Sequence, residues 1–293
     1  MNIQTSRAIL MTVVLLLSAA PSALAQGLPP VPPEPKFDKS DPVKYGTSLA
    51  KYAEARDAGW IDSYSKSKMT LTDARGDSVT RETRQLILEG QDGDKSIARF
   101  MSPAEIRGVA ALTHEHPGGT DDSWLYLPSS RRVRRISGAN RTSSFQGTEF
   151  TYEDLSSIDP DDYTWKHLGD DKLTVDGKQV EVYKLEAKPT YKNTGYSKLE
   201  IYMSKKLWRP ERTVYYDKAG RKLKTLTQSR WQHIHKRYWR ATVLEMTNHQ
   251  THKKTVIASS ALFLNMALYK GKNGKPRKNL TAAQFTRQAL ESK

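Results

Sequence analysis

Four of the seven histidines stand in two pairs with one residue between them, His114 with His116 and His233 with His235. On extended strands each pair shares a face, and four converging imidazoles would suit a metal. Against that, Pro117-Gly118-Gly119 sets the first pair at a strand end beside a turn, and nothing in the sequence brings a carboxylate to either pair. No metal is expected. Carboxylates are doubled at Asp121-Asp122, Glu153-Asp154 and Asp161-Asp162. Adjacent residues on a strand point to opposite faces, so this spacing alone makes no acid–base pair. Loop solvation or helix capping accounts for these residues. The chain has no G-x-S-x-G, no phosphate-cradling glycine loop and no H-E-x-x-H. It has no cysteine, which excludes disulfides, thiol redox chemistry and thiolate metal sites. No cofactor is expected and the chain reads as a protein that is not an enzyme. A hydrolase or metal enzyme built on the histidine pairs is the alternative that metal analysis would decide.

A more distinctive stretch is Asp121-Asp122-Ser123-Trp124-Leu125-Tyr126-Leu127-Pro128, followed by Arg131-Arg132-Val133-Arg134-Arg135-Ile136. On a strand Leu125 and Leu127 share one face and Trp124 and Tyr126 the other. The arginines put positive charge on the next strand's outer side or rim. An apolar interior with a cationic mouth suits an acylated, anionic ligand, whereas a plain core strand beside a solvated one would look the same.

The elements that must position these residues are mostly strands. Asp41-Pro42 supplies a helix N-cap and a proline at the first helical position, and Val43, Leu49, Tyr52 and Ala53 continue an amphipathic pattern toward Gly59. From Ser67 the period becomes alternating, with turns at Arg75-Gly76-Asp77, Glu89 to Asp94, Asp176-Gly177 and Lys218-Ala219-Gly220. Asp-Gly between Val175 and Val180 is the strongest hairpin signal. Leu199, Ile201 and Met203 alternate with Lys198, Glu200 and Tyr202, so one face is apolar and the other wet. Thr281-Ala282-Ala283-Gln284 is a capping box opening a short C-terminal helix. Roughly ten or eleven strands are expected, too many for a flat sheet, so the fold class is mainly β, a curved antiparallel sheet or half-open barrel.

Before this domain, expected over 41–293, lie a proline-dense tether over 26–40 and a signal peptide over 1–25. In the latter Arg7 precedes an apolar run from Ala8 to Leu17, and Ala23-Leu24-Ala25 gives an A-x-A cleavage site. The run is about half the length needed to span hydrocarbon, so no membrane helix is expected after cleavage. An exported, periplasmic protein follows. Without Arg7 the 47 Lys+Arg fall to 46 against 32 Asp+Glu, a formal charge of +14. An exported protein meets anionic membrane surfaces, not genomes, so no nucleic-acid partner is expected.

The run from Asp92-Gly93-Asp94-Lys95-Ser96 through Arg99-Phe100 and Ser102-Pro103-Ala104-Glu105-Ile106-Arg107-Gly108 resembles the LolA-like outer-membrane lipoprotein-sorting proteins. The resemblance continues through Asp121 to Pro128, Arg132 to Ile136, Phe145-Gln146-Gly147-Thr148-Glu149-Phe150 and Tyr152-Glu153-Asp154-Leu155. Gly195-Tyr196-Ser197, Leu223 to Leu226, Tyr238-Trp239-Arg240 and Met246 to Thr251 extend it over about residues 45 to 290. It implies a half-open antiparallel barrel around an apolar cavity, helices as a lid, and association with transporters of the resistance-nodulation-division (RND) type. It transfers no catalytic residue. The expected function is a periplasmic carrier of lipid or acylated lipoprotein, with a non-enzymatic adaptor or sensor docking on such a transporter as the alternative. The expected cavity wall is Met69, Leu71, Leu86, Leu88, Phe100, Leu112, Leu125, Leu127, Leu199, Ile201, Met203, Leu244 and Met246. Arg131, Arg132, Arg134 and Arg135 are expected to meet the headgroup or a partner.

Overall fold

Asp41 caps α1 (Pro42–Asp57), its carboxylate accepting from the backbone N–H of Val43 and Lys44. Tyr45, Leu49 and Tyr52, spaced by four and three, form the buried stripe of this helix. Val43, expected in the stripe, is exposed. These coordinates come from a computed structural model that describes residues 28–271 and 273–291, so the expected signal peptide lies outside the described residues. The proline-rich run before α1 is extended and does not stand off from the domain. Leu28 packs near Trp60 and Tyr238, and the Tyr52 hydroxyl donates to the Pro32 carbonyl.

β1 (Asp62–Thr72), β2 (Ser78–Leu88), β3 (Lys95–Ser102), β4 (Ala110–His114), β5 (Asp122–Leu127) and β6 (Arg132–Ile136) run from the middle of one sheet to its edge. The chain then crosses through residues 137–162, which hold only short 3-10 turns, to the opposite edge. There β7 (Tyr163–Val175) begins the return through β8 (Lys178–Pro189), β9 (Tyr196–Ser204), β10 (Pro210–Asp217), β11 (Lys222–Ile234), β12 (Tyr238–Asn248) and β13 (Lys254–Leu264). β13 pairs antiparallel with β1, giving the order β6-β5-β4-β3-β2-β1-β13-β12-β11-β10-β9-β8-β7. The sheet therefore stays open between β6 and β7. Asp176 and Gly177 both take positive φ, as the β7–β8 hairpin requires.

The sheet has 13 strands rather than ten or eleven. β4 and β6 are only 5 residues long, and β4 is buried on both faces, so neither shows a usable alternation. Register shifts at Lys66/Ser67, Glu82/Thr83 and His167/Gly169 add twist, and a sheet this wide curls.

α1 and the crossing segment lie on the concave face. Gly46 is what lets α1 approach β7: a Cβ there would stand 2.7 Å from the His167 backbone nitrogen. On the other face, Phe285 and Leu290 cover Ile97, Ala110 and Leu112. They belong to the C-terminal 3-10 turn and to α2 (Arg287–Glu291), and the expected capping box is formed between Thr281 and Gln284. Among the described residues no helix is long and apolar enough to cross a membrane.

Candidate functional site

Cross-strand register assigns each expected wall residue to a face. Leu71, Thr255, Met246, Leu226, Thr213, Ile201, Leu185 and His167 form one row across eight strands of the concave face. Met69 pairs with Ile257 and Ile257 with Leu244 in the next such row, and Leu199 faces Tyr215. Leu125 and Leu127 pack with Met69, Phe100 and Ala111 on the same face. Ten of the thirteen expected residues are thus brought to one surface. Leu86, Leu88 and Leu112 are not: Leu86 pairs with Ile97 and Ile97 with Leu112, in a row on the convex face under Phe285. Leu88 packs in the same convex cluster. The reason is that the C-terminal segment covers the convex face of β3 to β5, so apolar residues are buried on that face as well as on the concave one.

Much of the concave surface is filled by the protein itself. Tyr45, Leu49 and Tyr52 of α1, with Phe150 and Leu155 of the crossing segment, pack on Leu199, Met203 and Met246. Phe145 packs on Met69 and Phe100. Between α1, residues 153–162 and the loops after β2 and β4 a cavity of about 730 Å³ remains. Its floor is Trp165, Leu185, Ile201, Met203 and Trp208, with Ala50 and Ala53 of α1 at its side. Of the expected wall only Ile201 and Met203 line it. Trp165 was legible, since Tyr163, Trp165 and His167 alternate onto one face. Trp208 was not: it takes φ 56° in the β9–β10 turn, outside any strand pattern.

The mouth is acidic. Ten carboxylates line the cavity, against Arg141, Arg209 and His116. Uncharged donors satisfy several of them. Glu115 accepts from the Ser157 N–H at 2.9 Å and from its hydroxyl, which ties the β4–β5 loop to the crossing segment. Glu153 accepts from the Tyr191 hydroxyl and the Gly195 N–H, both at 2.8 Å. Asp121 accepts from the Ser156 hydroxyl at 2.8 Å. Two have cationic partners: Asp57 with Arg209 at 2.8 Å and with Arg240, and Asp161 with Lys51 at 2.6 Å. Burial, then the neighbouring Asp94 and Asp121 charges, push the Glu115 carboxyl up to about 7. Burial, with the nearby Glu89 charge, raises Asp94 to about 6 despite the Gly90 N–H it accepts. Glu54 and Asp162 are shifted upward by burial and by Asp159.

The arginines expected at the mouth lie elsewhere. Arg132, Arg134 and Arg135 are exposed on edge strand β6, Arg131 is exposed in the turn before it, and none lines the cavity. Arg135 pairs with Asp122. Charge next to an apolar strand in sequence became charge at the sheet's edge, because β6 ends the sheet order.

The histidine pairs stay apart. β4 and β11 are six strand spacings from each other, about 29 Å along the sheet. His114 bonds the Phe285 carbonyl, His116 approaches Asp122, His233 stacks on Trp239 and His235 bonds the Leu264 carbonyl. Among the described residues no group of three or more His, Cys, Asp or Glu is placed to hold a metal ion. The doubled carboxylates separate too: Glu153 faces Tyr191, while Asp154 is buried in an ion pair with Lys224 of β11. Asp154 also accepts from the Tyr196 hydroxyl at 2.7 Å and the Thr151 N–H at 2.6 Å, and Lys224 donates to the Glu149 carbonyl at 3.1 Å. This network pins the crossing segment to the sheet.

A family model described as uncharacterized protein matches residues 92–291. A Vibrio parahaemolyticus protein domain, named for outer-membrane lipoprotein sorting, is 38% identical. That match covers 85% of this chain and 99% of that one, with a TM-score of 0.77. A DUF1329 family protein from Desulfovibrio piger is 31% identical over 86% of this chain and 100% of its own, with a TM-score of 0.75. A LolA superfamily protein from Nitrosomonas europaea, 19% identical over 83% of this chain and 98% of its own, shares the fold at a TM-score of 0.61. No curated protein matches the chain. With two relatives above 30% identity along nearly their whole length, at TM-scores of 0.77 and 0.75, the chain belongs to the DUF1329 family and has a LolA-like fold.

Proposed function

We propose that the chain is a periplasmic, non-enzymatic carrier that shelters an acyl chain of a lipid or lipoprotein in the concave cleft. The observation that carries this reading is the cavity of about 730 Å³ floored by Trp165, Leu185, Ile201 and Met203 in a LolA-like sheet. Its volume falls within the roughly 300–1,000 Å³ of small-molecule sites. Each sheltered methylene contributes about 0.8 kcal/mol, so about ten of them offset much of the 4–15 kcal/mol lost on association. Arg131, Arg132 and Arg134, exposed at or beside the β6 edge, are the face offered to an anionic membrane surface, with an RND-type transporter as the receiver of cargo.

The test is native mass spectrometry of protein purified from envelope extract, together with uptake of a fluorescent acyl probe with an uncharged head. Bound lipid and saturable uptake are expected. Met203→Asp, which puts a charge in the floor, and Ala53→Phe, which fills the cleft from α1, should each remove uptake. The second acts without disturbing the sheet. Protein that is always empty and takes up no probe overturns the carrier reading; if it also co-purifies with a transporter, it is an adaptor.

A further inference from the structure

The chain carries a formal +15, yet the cleft beside α1 is walled by carboxylates. Ion pairs neutralise Asp57 and Asp161. Glu115, Glu153 and Asp121 take hydrogen bonds from uncharged N–H and O–H donors, which solvate a charge without cancelling it. Glu54 and Asp162 have no ion pair or side-chain hydrogen bond among the described residues, and both face the cleft. On the positive side, Arg209 is engaged with Asp57, and the Arg141 guanidinium lies 4.5 Å from the centre of the Tyr191 ring. The basic residues that dominate the composition lie mostly outside the cleft, as on β6.

From this charge pattern around an apolar floor we infer that the cleft selects amphiphiles whose head bears a protonated amine, and disfavours chains ending in a carboxylate or phosphate. The inference rests on the carrier reading and names its ligand class. A chain that lies along Ile201 and Met203 leaves its head at the level of the acidic lip. There an ammonium meets opposite charge in a partly desolvated setting, and an anion meets like charge. The upward shifts of Glu54, Asp94, Glu115 and Asp162, caused first by burial and then by neighbouring carboxylates such as Asp159, Glu89 and Asp121, agree with a negative field at the lip.

The experiment compares three probes of equal chain length, dodecylammonium, dodecanol and dodecanoate, each below its micelle concentration, on the exported chain at about pH 8. Displacement of a neutral fluorescent acyl probe gives the affinities. Dodecylammonium should bind about tenfold or more tighter than dodecanoate, with dodecanol between, and the ratio should shrink in high salt. The double variant Glu54→Gln/Asp162→Asn should lower that ratio, and Ala53→Phe, which holds no probe to displace, should show no ammonium binding by titration calorimetry. Equal affinities, tighter dodecanoate, or ammonium binding that persists in Ala53→Phe overturns the inference and leaves the carrier reading standing. Failure of all three probes removes the carrier reading and the inference with it.

Discussion

Lys224→Met would strand Asp154 as a buried charge. The two side chains are 2% and 1% exposed, so water cannot replace the lost partner. The Tyr196 hydroxyl and the Thr151 N–H still donate to the carboxylate, but neither carries a charge. Breaking one side of a buried pair costs about 3–5 kcal/mol, and for a domain of this size each kcal/mol lowers Tm by roughly 2–4 °C. Asp154→Asn alone leaves the buried Lys224 ammonium without a counter-charge, facing only neutral acceptors (the amide oxygen and the Glu149 carbonyl) and the Tyr196 and Tyr215 rings, each 5.3 Å from Nζ, and should destabilise comparably. The double variant removes both charges and keeps an amide oxygen for Thr151. Its loss should therefore fall well short of the sum, with a coupling of about 2 kcal/mol or more. The assay is urea unfolding followed by tryptophan fluorescence, with m compared across the series. A Lys224→Met loss under about 1 kcal/mol, or additive single losses, would refute the pin between crossing segment and sheet.

Three further outcomes are expected. Glu115 holds its proton more tightly folded than unfolded, so it stabilises the fold below the ordinary carboxylate range, and that stabilisation is lost as pH rises to about 7. Glu115→Gln should flatten the fall in Tm between about pH 5 and pH 8; an unchanged slope assigns the pH dependence to other groups. Phe285→Ala, a cavity on the convex face, should cost about 3–5 kcal/mol in urea unfolding yet leave probe uptake intact. Lost uptake in folded protein would mean that the two faces communicate. Gly46→Ala forces α1 away from the His167 and Lys166 backbone and should cost about 1–3 kcal/mol by thermal unfolding; a neutral result would show that α1 shifts freely.

What the sequence makes legible follows from what a period can encode. Alternation such as Leu199-x-Ile201-x-Met203 names a face, and the structure gathers those residues into one row system. It cannot say which face is concave where both are apolar, so Leu86, Leu88 and Leu112 fall on the convex side, beneath a C-terminal segment nearly two hundred residues away for Leu88. Nor can it say that β1 pairs with β13, the non-local contact that sends β6 and β7 to opposite edges. That single pairing decides where the charges go. It exiles the arginines after Pro128 to a rim and brings Glu54 of α1, Glu115 of the β4–β5 loop and Asp162 of the crossing segment around one opening.

A net charge is a sum over the whole surface, whereas a ligand head samples only the few groups within about a Debye length of the mouth, roughly 8–10 Å. For this fold the two have opposite signs. The positive total acts at long range, as the proposed approach to an anionic membrane would need, and the edge strand β6 carries three of its arginines. The acidic lip acts only at contact and sorts what enters. On the proposed reading, separating the two along the sheet would let one molecule approach an anionic surface without its cleft filling with the anions there, which a cationic mouth would invite.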